Sequence, residues 1–265
     1  LRQVREDSEI MGKIIAIGGG EIGRPREDGN GNYPVETIAI DNEIFRLTNK
    51  ENPTLLFIPT ASSDSKDYYK LVERHFTKLG FSSVTPLYLS DDSLRKDEIE
   101  NIILSHDAIY VGGGNTLRMM TIWRKKGIDE ILRRAYQKGI VLSGVSAGSI
   151  CWFNYGNSDS RKFTNGSDKL IKVAGLGLID ALHCPHYDAE SHRQADLKRM
   201  MRKTAGVAVA LDNCAALEIV DSTYRIITSK PTAKARKVYW KKGEYIIEDI
   251  AVRASFTDID ELTKK

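Results

Sequence analysis

The chemical potential of this chain concentrates in five consecutive residues, Gly144-Val145-Ser146-Ala147-Gly148. They match Gly-x-Ser-x-Gly, in which a strand turns sharply into a helix and exposes a serine hydroxyl as a nucleophile at the apex. Glycines suit positions 144 and 148 because a side chain at either would crowd the turn or the helix–strand contact. A helix starting at Ala147 would point its first amides back toward Ser146, favouring negative charge there. Small-residue turns also occur without catalysis, so the pentapeptide gains meaning only with partners.

Acyl transfer needs hydrogen-bond donors aimed at the oxyanion of the tetrahedral intermediate. Gly112-Gly113-Gly114-Asn115 closes another expected strand, and Gly113 and Gly114 can offer bare backbone amides. A serine hydroxyl also needs a base. Of five histidines, His75 falls in an expected helix and His106 in a polar connection. His186 follows a strand and Pro185, which sets it at the active edge of the sheet. Strand alternation turns His183 elsewhere, and His192, at the start of a helix, stays open as a second candidate base. The group that orients the imidazole should be a carboxylate at a loop or strand end. Asp212 and Asp159 both qualify, and the sequence does not choose between them. Asp188 and Glu190 lie too near His186 along the chain and are expected to face solvent or substrate.

Two other patterns compete. Gly18-Gly19-Gly20-Glu21-Ile22-Gly23 satisfies a dinucleotide fingerprint after a strand. The second strand, however, ends Ile58-Pro59-Thr60-Ala61 without the acid that would hold a ribose. His183-Cys184-Pro185-His186 lacks a second ligand pair at zinc spacing, so no metal and no cofactor are expected. A nucleotide or small-molecule sensor is the alternative from another class. A serine esterase is the alternative within hydrolases, although its histidine usually comes last and far downstream, whereas His186 follows Ser146 by only 40 residues.

These residues are positioned by short apolar runs alternating with amphipathic stretches. Strands are expected at Lys13 to Ile17, Thr54 to Pro59, Ser83 to Leu89, Ala108 to Val111, Val141 to Gly144, Ile179 to His183 and Val207 to Leu211. Helices are expected at Val35 to Thr48, Lys66 to Leu79, Lys96 to Leu104, Thr116 to Gln137 with a break at Gly127, Ala147 to Phe153, and Ser191 to Thr204. The sum is an α/β fold whose mostly parallel sheet is covered on both faces. Antiparallel strands from Ala216 to Ile250 would finish one edge, with turns at Val220-Asp221 and Lys242-Gly243. Residues 155–172 read as the longest loop, a length that is uncommon unless functional. In open sheets of this kind ligands bind beyond the carboxyl ends of the strands, where all the candidates lie.

Composition narrows the partners. With 39 basic and 36 acidic residues among 265, the net charge of +3 leaves no footprint for nucleic acid or anionic lipid. No apolar run reaches membrane-spanning length, and Leu1 to Ile10 lacks the apolar stretch of a signal peptide. A cytoplasmic protein is expected, with residues 1–10 a polar extension and 11–265 one catalytic domain. Cys151, Cys184 and Cys214 are too few for a disulfide framework and read as reduced core thiols.

With these residues in place, the chain resembles the peptidase E and cyanophycinase family of serine peptidases from about Lys13 to Ile219. The likeness rests on Val111-Gly112-Gly113-Gly114-Asn115-Thr116, Gly144-Val145-Ser146-Ala147-Gly148 and Cys184-Pro185-His186-Tyr187. It implies a class I glutaminase-like fold, Ser146 as nucleophile, His186 as base, and the Gly114 and Ala147 amides as oxyanion hole. For the acid it implies Asp159 by analogy with peptidase E, or Asp212 by analogy with cyanophycinase. It further implies a small peptide substrate with a bond involving aspartate. Asn115 and Arg193 are the candidate substrate-binding residues, Arg193 because a guanidinium meets a carboxylate bidentately. A homodimer is left open.

Overall fold

The computed structural model describes residues 12–90, 92–189 and 191–265. The expected extension at residues 1–10, Met11 and Glu190 lie outside them. The first half runs β1 (Lys13–Ile17), α1 (Ile38–Leu47), β2 (Thr54–Ile58), α2 (Lys66–Lys78), β3 (Ser83–Pro86), α3 (Lys96–Leu104), β4 (Ala108–Val111), α4 (Thr116–Lys126), α5 (Ile128–Gln137) and β5 (Val141–Val145). Then come α6 (Ala147–Ile150), β6 (Phe153–Ser158), α7 (Ser160–Asn165), β7 (Ile171–Ala174), β8 (Ile179–Cys184), α8 (Ser191–Met201) and β9 (Ala208–Leu211). The chain finishes with β10 (Ala215–Val220), β11 (Thr223–Thr228), β12 (Ala235–Lys241), β13 (Glu244–Ile250), β14 (Thr257–Asp258) and α9 (Ile259–Thr263).

The first sheet has the order β14-β11-β10-β1-β5-β4-β2-β3. Its part from β1 to β3 is parallel, and β10, β11 and β14 add on antiparallel. Ile14 to Ile17 of β1 are all fully buried, yet Ile14 and Ala16 join one apolar cluster while Ile15 and Ile17 join another. That split is the mark of a strand covered on both faces. Gly127, with φ 69°, ends α4 as expected of a residue that tolerates a left-handed conformation.

The expected single sheet is in fact two. A second sheet has the order β13-β12-β9-β8-β6-β7, parallel from β6 to β9 and antiparallel at both flanks. The helix expected to reach Phe153 stops at Ile150, because Cys151, Trp152 and Phe153 dive into the core, all fully buried, and carry the chain into β6. The segment 155–172, expected as loop, holds the end of β6, all of α7 and the start of β7. The C-terminal strands divide between the sheets, so the short link from β9 to β10, residues 212–214, crosses from one to the other. The hairpin at Lys242-Gly243 is present, with φ 49° and 84° at its two turn residues, as a type I′ connection requires.

Candidate active site

The exit of β1 organises the site. The Ile17 carbonyl accepts the Ser146 amide at 3.1 Å, the Gly18 carbonyl accepts the His186 amide at 3.0 Å, and the Gly19 carbonyl accepts the Cys214 amide at 2.9 Å. Three consecutive carbonyls thus tie down the segments after β5, β8 and β9. The approach is too close for side chains. A Cβ on Gly18 would lie 2.4 Å from the Asp212 carbonyl oxygen, and one on Gly19 would lie 2.0 Å from Asn213 Oδ1 and 2.4 Å from His186 Nδ1. Close packing of the segments around His186 and Asn213 therefore accounts for glycines that the sequence alone could assign to a dinucleotide.

Ser146 sits between β5 and α6 with φ 56° and ψ −112°, a region that costs a non-glycine residue about 1–3 kcal/mol and persists only where its surroundings enforce it. The flanking glycines show how. A Cβ on Gly144 would lie 2.4 Å from the Gly148 carbonyl oxygen, and one on Gly148 would lie 2.1 Å from the Val111 carbonyl oxygen. Beneath the turn, Ser149 Oγ is 2.7 Å from the Ser146 carbonyl oxygen and 2.9 Å from His183 Nε2. His183 Nδ1 donates to the Val209 carbonyl at 3.0 Å, and the ring stacks on Phe153. Complete burial pushes the His183 pKa down to about 3, so this histidine is a neutral core residue that braces the turn. That matches its expected direction away from the site.

Gly113 lies against the nucleophile, since a Cβ there would stand 3.5 Å from Ser146 Cβ. Gly114 has φ 135°, and a Cβ on it would meet the Ala61 carbonyl oxygen at 2.4 Å. Neither the Gly114 nor the Ala147 amide has an acceptor among the described residues. The Gly113 amide donates to Tyr68 Oη at 3.4 Å, and burial pushes the Tyr68 hydroxyl up to about 12, keeping it protonated at neutral pH. Tyr68 was not singled out by sequence reasoning; an aromatic on an amphipathic helix reads as core.

His186 also has a positive φ, 52°. Its Nδ1 is 2.6 Å from Asn213 Oδ1. Neither expected carboxylate is there. Asp212 turns to the other side, where its Oδ1 accepts from Arg236 at 2.7 Å and its Oδ2 from the Lys234 amide at 3.0 Å. Asp159 caps the approach to α7, and its carboxylate has no hydrogen bond or ion pair with His186. Asp188 is exposed and accepts the Asn213 amide at 2.8 Å, so it steadies the loop that carries Asn213.

The two residues expected to meet substrate are engaged in structure. Asn115 caps α4 by accepting the Arg118 amide at 3.0 Å and donates to the Ser160 carbonyl at 3.4 Å, latching α7 onto the Gly114 turn. Arg193 is almost fully buried, with its guanidinium donating to the Asn157 carbonyl at 3.1 Å. Cys151, Cys184 and Cys214 are buried and form no disulfide among the described residues. Among the described residues no group of three or more His, Cys, Asp or Glu side chains could hold a metal ion, and no helix is long and apolar enough to cross a membrane.

A strained serine between strand and helix, faced by a glycine turn and a strand-end histidine, defines the class as a serine hydrolase-like site. Comparison with known proteins places the chain more narrowly. Peptidase family S51 matches residues 29–227, and the chain belongs to that family. It is a serine-type peptidase, a hydrolase, in agreement with the resemblance to peptidase E. Among its relatives, "Uncharacterized peptidase YgaJ" of Bacillus subtilis (strain 168) is 33% identical over 236 residues, covering 88% of this chain and 95% of that protein. A "Probable alpha-aspartyl dipeptidase" of Drosophila melanogaster is 31% identical over 108 residues, covering 40% of this chain and 41% of that one. The crystal structure of a peptidase from an acI-B1 Actinobacterium shares the fold with TM-score 0.65 at 16% identity, covering 94% of this chain and 98% of its own.

Proposed function

We propose that this peptidase hydrolyses small peptides at a bond involving aspartate, in α- or β-linkage, through an acyl-enzyme on Ser146. The observation that carries the reading is the pair of neighbouring carbonyls, Ile17 and Gly18, that hold Ser146 and His186 side by side at the end of β1. Ser146 Oγ attacks the scissile carbonyl while His186 Nε2 takes its proton. The Gly114 and Ala147 amides receive the oxyanion, each such donor being worth about 3–4 kcal/mol in the transition state. His186 then protonates the leaving amine, and water repeats the cycle to release the acid. The parallel strands ending in this site are consistent with a class I glutaminase-like arrangement. The aspartyl preference is supported by the family resemblance and by the dipeptidase relative, not by a matched pocket residue.

Reaction with a fluorophosphonate probe tests the chemistry. Labelling is expected in the wild type and lost in Ser146→Ala, and both Ser146→Ala and His186→Ala should lower turnover by about 10⁴-fold or more, because such residues act as a unit. Labelling that survives in Ser146→Ala would remove the serine from the mechanism. A panel of aspartyl dipeptides, isoaspartyl dipeptides and simple esters tests the substrate: turnover confined to esters would overturn the peptide reading.

A further inference from the structure

We infer that Asn213 is the residue that positions the catalytic imidazole, with a neutral amide facing Nδ1 where a carboxylate is usual. The inference rests on the reading of Ser146 and His186 as nucleophile and base. Asn213 Oδ1 stands 2.6 Å from His186 Nδ1, and an amide oxygen can only accept, so the proton resides on Nδ1 and Nε2 is the nitrogen that takes the serine proton. Asn213 is not a loose contact. Its amide is held by Asp188 at 2.8 Å. Asp212 before it is tied to Lys234 and Arg236, and Cys214 after it is bound to the Gly19 carbonyl. The missing side chain of Gly19 is what makes room for both the imidazole and the amide.

Among the described residues, the carboxylates that flank Asn213 have other work. Asp212 neutralises Arg236, and Asp188 steadies the Asn213 backbone. Among the described residues, other charged or titratable groups around this corner include His183 on β8, Arg193 and His192 on α8, Cys214 beside Asn213, and the Glu36–Lys230 ion pair that faces Cys214. An amide orients the ring as a carboxylate does but brings no formal charge to the imidazolium formed when Ser146 gives up its proton. The uncharged base form of His186 therefore persists to lower pH than it would beside an aspartate at the same place.

The test measures the fluorophosphonate inactivation rate against pH for the full-length wild type, Asn213→Ala and Asn213→Asp, with the His186 titration followed by NMR in each. Asn213→Ala should lower the plateau rate by about 100-fold, the scale of a lost orienting partner in acid–base catalysis. Asn213→Asp should retain a reactive serine and move the acidic limb, and the His186 titration with it, upward by about 1 pH unit or more, since a carboxylate favours the charged ring. A purely structural role would not move the limb. Unchanged plateau in Asn213→Ala together with an unmoved limb in Asn213→Asp would overturn the assignment. If the wild type resists labelling, the serine reading fails by itself. The NMR titration still decides Asn213 in that case, a shift in Asn213→Asp supporting the contact and no shift refuting it. Should Asn213→Ala not fold, Asn213→Asp carries the test alone.

Discussion

The turn that holds Ser146 and the turn that holds His186 share an uncommon backbone, φ 56° and 52°, and are anchored by adjacent carbonyls of β1. They are enforced in different ways. Around Ser146 the constraint is backbone against backbone: Gly144 on Gly148, and Gly148 on Val111. Around His186 the constraint at Gly19 is side chain against backbone, with the imidazole and the Asn213 amide pressed onto it. Backbone contacts cannot yield, whereas side chains can rotate away. The nucleophile turn is therefore coupled to global stability and the base turn mainly to chemistry.

Paired glycine substitutions probe that difference most strongly. Gly148→Ala forces a methyl to within 2.1 Å of the Val111 carbonyl and should lower stability by about 3 kcal/mol or more in denaturant unfolding. Gly19→Ala meets side-chain ends instead, so its melting temperature should fall less while the probe-labelling rate drops by about 100-fold. Equal stability losses from the two would dissolve the distinction.

A smaller effect comes from the brace beneath the nucleophile. His183 stays neutral in the fold down to about pH 3, while in the unfolded chain it takes a proton below its ordinary value of 6.5. Stability is then unaffected above that value and falls as pH drops from 6.5 toward 3, by up to about 4–5 kcal/mol from this group. His183→Gln, which retains a hydrogen-bonding side chain but cannot titrate, should flatten that slope. An unchanged slope would mean that His183 is not the group responsible.

The contrast between Asp212 and Asn213 is finer. Asp212→Asn removes the charge facing Arg236 and should cost about 1–3 kcal/mol of stability with the pH profile of labelling unmoved. A shifted profile would return Asp212 to the base. Least of all, Asp159→Asn should change turnover by less than about 2-fold and stability by less than about 0.5 kcal/mol, as for a surface position without partners.

Much of the first sheet was legible because its strands are apolar on both faces. Lys13–Ile17 and Ala108–Val111 appear with their expected limits, and the glycine pattern around Ser146 has the geometric cause it suggested. In the second sheet β8, β9 and the Lys242-Gly243 hairpin were legible, but the division into two sheets was not, because β6 reads Phe153-Asn154-Tyr155-Gly156-Asn157-Ser158, a strand whose buried Asn157 and Ser158 look like loop residues. Asn213 was missed for a different reason. Adjacent residues leaving a strand point to opposite sides, and only the path of the link between β9 and β10 decides which of Asp212 and Asn213 meets the imidazole. A preference for charged partners favoured the neighbour that the fold assigns to Arg236.

The three carbonyls at the exit of β1 also form a common anchor. One carbonyl is that of Ile17, the last residue of β1, and the other two belong to the glycines that follow it, so three successive residues anchor the segments that carry nucleophile, base and amide. Those segments come from distant parts of the chain, but they share this one anchor. Helices and loops that touch neither this anchor nor the Gly114 turn are then free to diverge without detuning the groups that react.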